Sequence, residues 1–143
     1  MRPQSCKSKG RRLQQKVARS ILDAFPHLEE DDVHSTSMGA PGEDIQLSTA
    51  ARNALPLSIE CKCVERLNVW QCIEQAQSNA PSGATPCLVF SRNRSPTYAV
   101  VPWEKLLELF QVRSSEDGIP LRLKQLLREL RDFSAEQDDA LKN

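Results

Sequence analysis

Apolar and polar positions follow two rhythms along this chain. Leu13, Val17, Ile21 and Phe25 recur every fourth residue, which predicts a helix over residues 10–25 that Pro26 stops. Residues 1–9 carry no such period and read as a flexible arm. Leu57-Ser58-Ile59-Glu60-Cys61-Lys62-Cys63 alternates in twos instead, as a strand with one core face and one polar face does. A shorter alternating run, Glu43-Asp44-Ile45-Gln46-Leu47, is entered through Gly39, Pro41 and Gly42. Between the first helix and that run lies an acidic connector with room for a short strand near residues 32–35. Residues 48–55 have the composition of a helical turn, with Ser48 placed to cap it.

The second half repeats the two rhythms. Trp70, Ile73 and Ala76 predict a helix over 69–80 that ends at Pro81. Short buried strands are expected at 87–90 and 98–101, joined by the polar turn Ser91-Arg92-Asn93-Arg94-Ser95-Pro96. Pro102 and Trp103 open a helix to about residue 110, and Leu123, Leu126, Leu127 and Leu130 mark an amphipathic helix over 119–133. The order is helix, two or three strands, helix, two strands, C-terminal helices. That order predicts an α/β fold with one domain over 10–133, a basic arm at 1–9 and an acidic tail at 134–143.

A length of 143 residues, 39% hydrophobic and 27% charged, is that of a single globular domain with a sizeable core. Zero formal net charge argues against a protein that coats nucleic acid along its length, but it hides an asymmetry. Arg2, Lys7, Lys9, Arg11, Arg12, Lys16 and Arg19 all fall in the first twenty residues, with no acid among them. Such an edge touches phosphates, or it only solubilises a terminus. Five cysteines are an odd count, and no signal peptide or transmembrane run is read, so free thiols in a cytoplasmic, non-membrane protein are expected. Structural zinc is disfavoured: Cys61 and Cys63 form C-x-C on the core side of a strand, and no C-x-x-C exists.

The candidate chemistry lies on the polar face of the 57–63 strand. Glu60 and Lys62 sit side by side there, and Asp44 occupies the earlier alternating run. If the two strands neighbour each other in one sheet, both carboxylates and the lysine converge. Such a group suits a magnesium-dependent phosphodiesterase. Alternation sends Glu43 to the opposite face.

Asp44 followed by Glu60-Cys61-Lys62, on successive strands between the expected helices, resembles the PD-(D/E)XK nuclease superfamily. Asn68-Val69-Trp70-Gln71-Cys72-Ile73-Glu74-Gln75-Ala76 looks like the helix after the E-x-K strand in phage-type resolvases. The resemblance covers roughly residues 10–110 by order of elements. It implies a restriction-endonuclease-like core, a central mixed sheet of about four or five strands flanked by helices. It also implies that Asp44, Glu60 and the backbone carbonyl of Cys61 hold Mg²⁺, with Mn²⁺ able to substitute. Lys62 would orient the attacking water or stabilise the phosphate, and Gln75 would join the catalytic group or remain a solvated helix position. DNA would be held at its phosphates by Arg11, Arg12, Gln15, Lys16, Arg19, Ser37, Arg92 and Arg94. Many resolvases of this superfamily carry a glutamate in the first helix where this chain offers only Gln14 and Gln15, so a weaker or one-metal site is expected.

The function implied is a structure-directed DNA endonuclease similar to a Holliday-junction resolvase, acting as a homodimer or higher homo-oligomer with the apolar C-terminal helix as its contact. A phage or bacterial origin goes with it. Two alternatives stand beside this one. The first is a site-specific endonuclease of the homing, restriction or repair kind. The second is a non-catalytic DNA-binding protein on a nuclease core.

Overall fold

A computed structural model describes residues 3–37 and 39–114, together with Arg128. The chain divides into two compact units, Met1–Pro102 and Trp103–Asn143.

The first unit begins with α1 (Pro3–Ala24). The helix starts seven residues before the expected start at residue 10, so residues 3–9 belong to it and are not a separate arm. Proline suits the opening position of a helix, having no N–H to leave unpaired, and only Gly10 in the next turns opposes helix. Leu13, Val17, Ala18 and Ile21 form its buried stripe. The last turn closes with the Phe25 N–H on the Ile21 carbonyl at 2.9 Å, just before Pro26.

Next come β1 (Val33–Ser35) and β2 (Ile45–Leu47), antiparallel, with Val33 opposite Leu47 and Ser35 opposite Ile45. The loop between them passes through Gly39 (φ 88°) and Gly42 (φ 94°), left-handed backbone that glycine adopts without steric cost. Helix α2 (Thr49–Ala54) follows at once. The Ser48 hydroxyl accepts the Ala51 N–H at 3.1 Å and donates to the Asp32 carboxylate, so one side chain starts the helix and ties it to the β1 end. Ser48→Ala is expected to cost about 1 kcal/mol of unfolding free energy. Urea denaturation checks this, and an unchanged midpoint would show that α2 needs no cap.

A β-α-β unit forms the remainder: β3 (Leu57–Cys63), α3 (Val69–Asn79) and β4 (Thr85–Ser91), with β5 (Tyr98–Val100) returning along β4. Strands β3 and β4 are parallel, with Glu60 beside Leu88, Lys62 beside Phe90 and Cys63 beside Ser91. Strand β5 pairs antiparallel to β4 and places Tyr98 opposite Phe90. The architecture is therefore α/β with a mixed sheet, but among the described residues the five strands form a three-stranded and a two-stranded sheet, not one central sheet.

The main core lies between α1 and one face of this assembly. Leu13, Val17 and Ile21 meet Val33, Ile45, Ile59, Cys61 and Cys87 there. Helix α3 packs on β3 and β4, contributing Cys72 and Ala76 to the buried set. This second cover changes the character of β3. Alternation predicts a solvated polar face, yet Ser58 and Glu60 are as buried as Ile59. Strands covered on both sides are the rule for β-α-β units, because the crossover helix must lie across the sheet.

The second unit contributes α4 (Trp103–Ser114), which extends one turn beyond the expected end. Apart from Arg128, the 119–133 helix, the dimer contact assigned to it and the acidic tail lie outside the described residues. No described helix is long and apolar enough to cross a membrane.

Candidate active site

Asp44, the residue before β2, bridges the two ladders. Its N–H donates to the Ile59 carbonyl at 3.0 Å, and its carboxylate accepts the Cys61 N–H at 2.7 Å. Its own carbonyl accepts the Thr36 N–H at 2.9 Å. The expectation that the Asp44 and Glu60 strands neighbour each other in one sheet is corrected accordingly. The Asp44 side chain takes a β3 N–H that a neighbouring strand would satisfy with a carbonyl, so regular pairing stops there.

Glu60 is 3% exposed. One carboxylate oxygen meets the Lys62 ammonium at 2.8 Å, and the other accepts from the Asn79 amide at 3.2 Å. Burial is tolerable because both oxygens are engaged, one of them by a cation. Asn79 is the residue of α3 that reaches the site. Cys72 and Ala76 are buried and Asn79 is half-buried, whereas Gln75, at the edge of the same face, is exposed. No hydrogen bond or ion pair among the described residues joins Gln75 to Asp44, Glu60 or Lys62. Spacing alone does not separate the two, since Gln75 stands i+3 from Cys72 as Asn79 does from Ala76.

Helix α1 supplies the other unexpected neighbour. Gln14 is 3% exposed, and its side chain lies close enough to Asp44 to hold that carboxyl down. Its Oε1 has no hydrogen-bond partner among the described residues. Gln15, one residue on, faces solvent. The glutamine of α1 at the site is therefore Gln14, and the 100° step per residue is the reason.

The electrostatics follow from this crowding. Burial pushes the Asp44 carboxyl above its ordinary value; the Cys61 N–H pulls it back, and the charge of Glu60 raises it again, against restraint from Lys62 and Gln14. Burial acts to lower the pKa of Lys62, but the hydrogen bond and charge of Glu60, with the charge of Asp44, outweigh it and the net shift is upward. Lys62 is thus a fixed ammonium at neutral pH, a hydrogen-bond donor and positive charge, not a base. Burial raises the thiols of Cys61 and Cys72, and that of Cys87 to about 11. Cys61, Cys63, Cys72 and Cys87 are all free, and the three raised thiols are protonated packing groups.

Glu43 is removed from this chemistry by Arg52, whose guanidinium meets it at 2.7 Å and also donates to the Leu57 carbonyl at 2.9 Å.

The residues expected to touch DNA are exposed, in three places. Arg11, Arg12, Gln15, Lys16 and Arg19 lie on the outer surface of α1, Ser37 in the β1–β2 loop, and Arg92 and Arg94 in the β4–β5 turn. Lys16 joins the first of these to the last by donating to the Thr97 hydroxyl at 3.0 Å. Arg19 is engaged by Asp23 at 3.4 Å and Glu30 at 3.8 Å.

A hard divalent cation wants oxygen ligands. Asp44, Glu60 and the unpaired Gln14 Oε1 are such donors, and the burial that chiefly raises the Asp44 carboxyl, with the charge of Glu60 beside it, is a setting that a cation relieves. Among the described residues no three His, Cys, Asp or Glu side chains cluster as a metal site, so the anionic donors are these two carboxylates. Comparison with protein-family models, curated proteins and solved structures finds no match to this chain.

Proposed function

We propose that this protein is a Mg²⁺-dependent DNA endonuclease on a PD-(D/E)XK-like core. The observation that carries the reading is the convergence of Asp44, Glu60 and Lys62 at β3, with Asp44 held in an environment that disfavours its own charge. Asp44 and Glu60, with the Cys61 carbonyl and Gln14 Oε1 as neutral donors, would hold the cation, and Mn²⁺ would substitute. When bound, the cation supplies charge neutralisation at the scissile phosphate and acidifies the attacking water. The rest belongs to the chain. Asn79 and Lys62 orient the Glu60 carboxylate, and the Cys61 N–H fixes that of Asp44. The Lys62 ammonium donates to a phosphate oxygen as charge grows on it. Arg12 and Lys16 attract the DNA backbone with no preference for sequence. Gln14 in place of an anion gives one fewer negative ligand, which suits a single weakly held cation.

Cleavage of a four-way junction, a flap and a linear duplex with Mg²⁺ or Mn²⁺ tests this. The expected result is cleavage that Glu60→Gln abolishes. Symmetric cuts confined to the junction would identify a resolvase acting as a homodimer, and discrete cuts in linear duplex a site-specific enzyme. No cleavage with either metal would overturn the reading. The closed Glu60–Lys62 pair would then favour a non-catalytic DNA-binding protein in which the cluster is structural.

A further inference from the structure

Ser91, the last residue of β4, stands between two cavities. The larger, of about 420 Å³, is lined by Leu67, Phe90, Arg92, Ser95 and Tyr98 as well as Ser91. The smaller, of about 180 Å³, is lined by Lys9, Arg12, Leu13, Lys16 and Cys63 on the α1 side. Neither contains Asp44, Glu60 or Lys62. Both adjoin them, because β3 and β4 run in register with Lys62 beside Phe90 and Cys63 beside Ser91.

The larger cavity has an aromatic wall facing solvent. The rings of Phe90 and Tyr98 lie 5.9 Å apart at a 30° tilt, and Tyr98 is 54% exposed. Packing explains the inner ring but not why so much of the outer one stays in water. The rim is polar at Ser95 and Arg92, the Ser95 hydroxyl donating to the Pro96 carbonyl at 3.2 Å and the Ser91 hydroxyl turning to Cys63 instead. Glu65 adds an acceptor, one oxygen of which takes the Asn93 N–H at 3.2 Å. A flat π surface edged with donors and acceptors complements a nucleobase, which has a stacking face and a hydrogen-bonding edge. Its volume lies within the range of about 300–1,000 Å³ usual for small-molecule sites.

The smaller cavity presents three cationic side chains, Lys9, Arg12 and Lys16, the complement of a phosphate. The Lys16–Thr97 hydrogen bond holds this face of α1 against the residue before β5, next to Tyr98. Ser91 lines both cavities, so the aromatic and cationic sites adjoin, as neighbouring parts of one strand require. A base stacked inside a duplex cannot enter such a cavity; an unpaired or extruded one can.

We infer that the Phe90–Tyr98–Arg92 cavity binds an unpaired DNA base, with a neighbouring phosphate held by Lys9, Arg12 and Lys16. The substrate is then DNA with unpaired nucleotides beside the cut, a flap or bulge rather than a fully paired junction. This deepens the nuclease reading by naming its substrate class, while the binding step needs only the cavities.

The test uses the full chain in EDTA, so that nothing is cut, and flap DNA carrying 2-aminopurine at an unpaired position. Stacking on Tyr98 is expected to quench the probe. Tyr98→Ala removes the quench and weakens flap binding by about tenfold, leaving the affinity for paired duplex unchanged. Tyr98→Phe, which keeps the ring, keeps both, and Arg92→Ala at an exposed position weakens flap binding without concern for folding. Flap affinity and quench unaltered in Tyr98→Ala and Arg92→Ala would overturn the inference, as would a parent chain that binds no DNA or does not quench. Quenching that depends on Tyr98, without cleavage when Mg²⁺ is added, would keep the cavity and remove the nuclease reading. Cleavage of flap and duplex alike, indifferent to Tyr98→Ala, would remove the cavity alone.

Discussion

Lys62→Met is expected to lower DNA cleavage at least 100-fold and to destabilise the fold by about 2–3 kcal/mol at neutral pH. Both effects come from one contact. Lys62 is the cation on a carboxylate that is 3% exposed, and Asn79 alone cannot replace its charge. Removing one partner of a buried pair strands the other, which costs far more than the pair contributes when intact. The side chain of Lys62 keeps 28% exposure, so water offsets part of the cost and the figure falls below that of a fully buried pair. Lys62→Met combined with Glu60→Gln removes the stranded charge and is expected to recover most of the stability and none of the activity. Urea denaturation of the parent, the single and the double variants separates these terms. A single variant as stable as the parent would mean that Glu60 finds another partner. A double variant no more stable than the single one would mean that the lysine stem, not its charge, matters.

Asp44→Asn should act in the opposite direction on stability. The carboxyl of Asp44 titrates above its ordinary 3.8, mainly because burial disfavours the charged form. A folded-state pKa above the unfolded one means that the folded chain holds the proton more tightly. The group therefore favours folding most below about pH 3.8, and stability falls as pH rises through the folded-state value. The variant has no charge to bury. Its amide oxygen still accepts the Cys61 N–H, and its amide N–H finds an acceptor in Gln14 Oε1, which has none among the described residues. In metal-free buffer at pH 7, Asp44→Asn is expected to raise the melting temperature by on the order of a few degrees and to flatten its pH dependence between pH 4 and 7. Added Mg²⁺ should stabilise the parent and not the variant, and cleavage should be lost. Thermal melts across pH, with and without Mg²⁺, check all three. An Asp44→Asn chain less stable than the parent at pH 7 would show that the carboxylate is a structural clamp whose charge the fold requires. A chain that keeps the Mg²⁺ response would place the cation elsewhere.

Gln14 and Asn79 mark the boundary between what sequence and tertiary structure decide here. The four-residue spacing of Leu13, Val17 and Ile21 determined which stripe of α1 is buried, since a helix repeats every 3.6 residues whatever it packs on. Alternation determined that Ile59 and Cys61 share one face of β3 and that Glu60 and Lys62 share the other. Ser48 as a cap and Pro26 and Pro81 as stops are equally local matters of hydrogen-bond supply. Periodicity says which side chains point together, not what lies opposite them. That Asp44 reaches the Cys61 N–H across two separate sheets depends on how the β1–β2 pair docks. That Glu60 is buried depends on α3 crossing back over β3, and the same crossing selects Asn79 and leaves Gln75 in solvent. The exposed ring of Tyr98 and the cations of α1 are about eighty residues apart in the chain, and only the sheet register brings them to either side of Ser91.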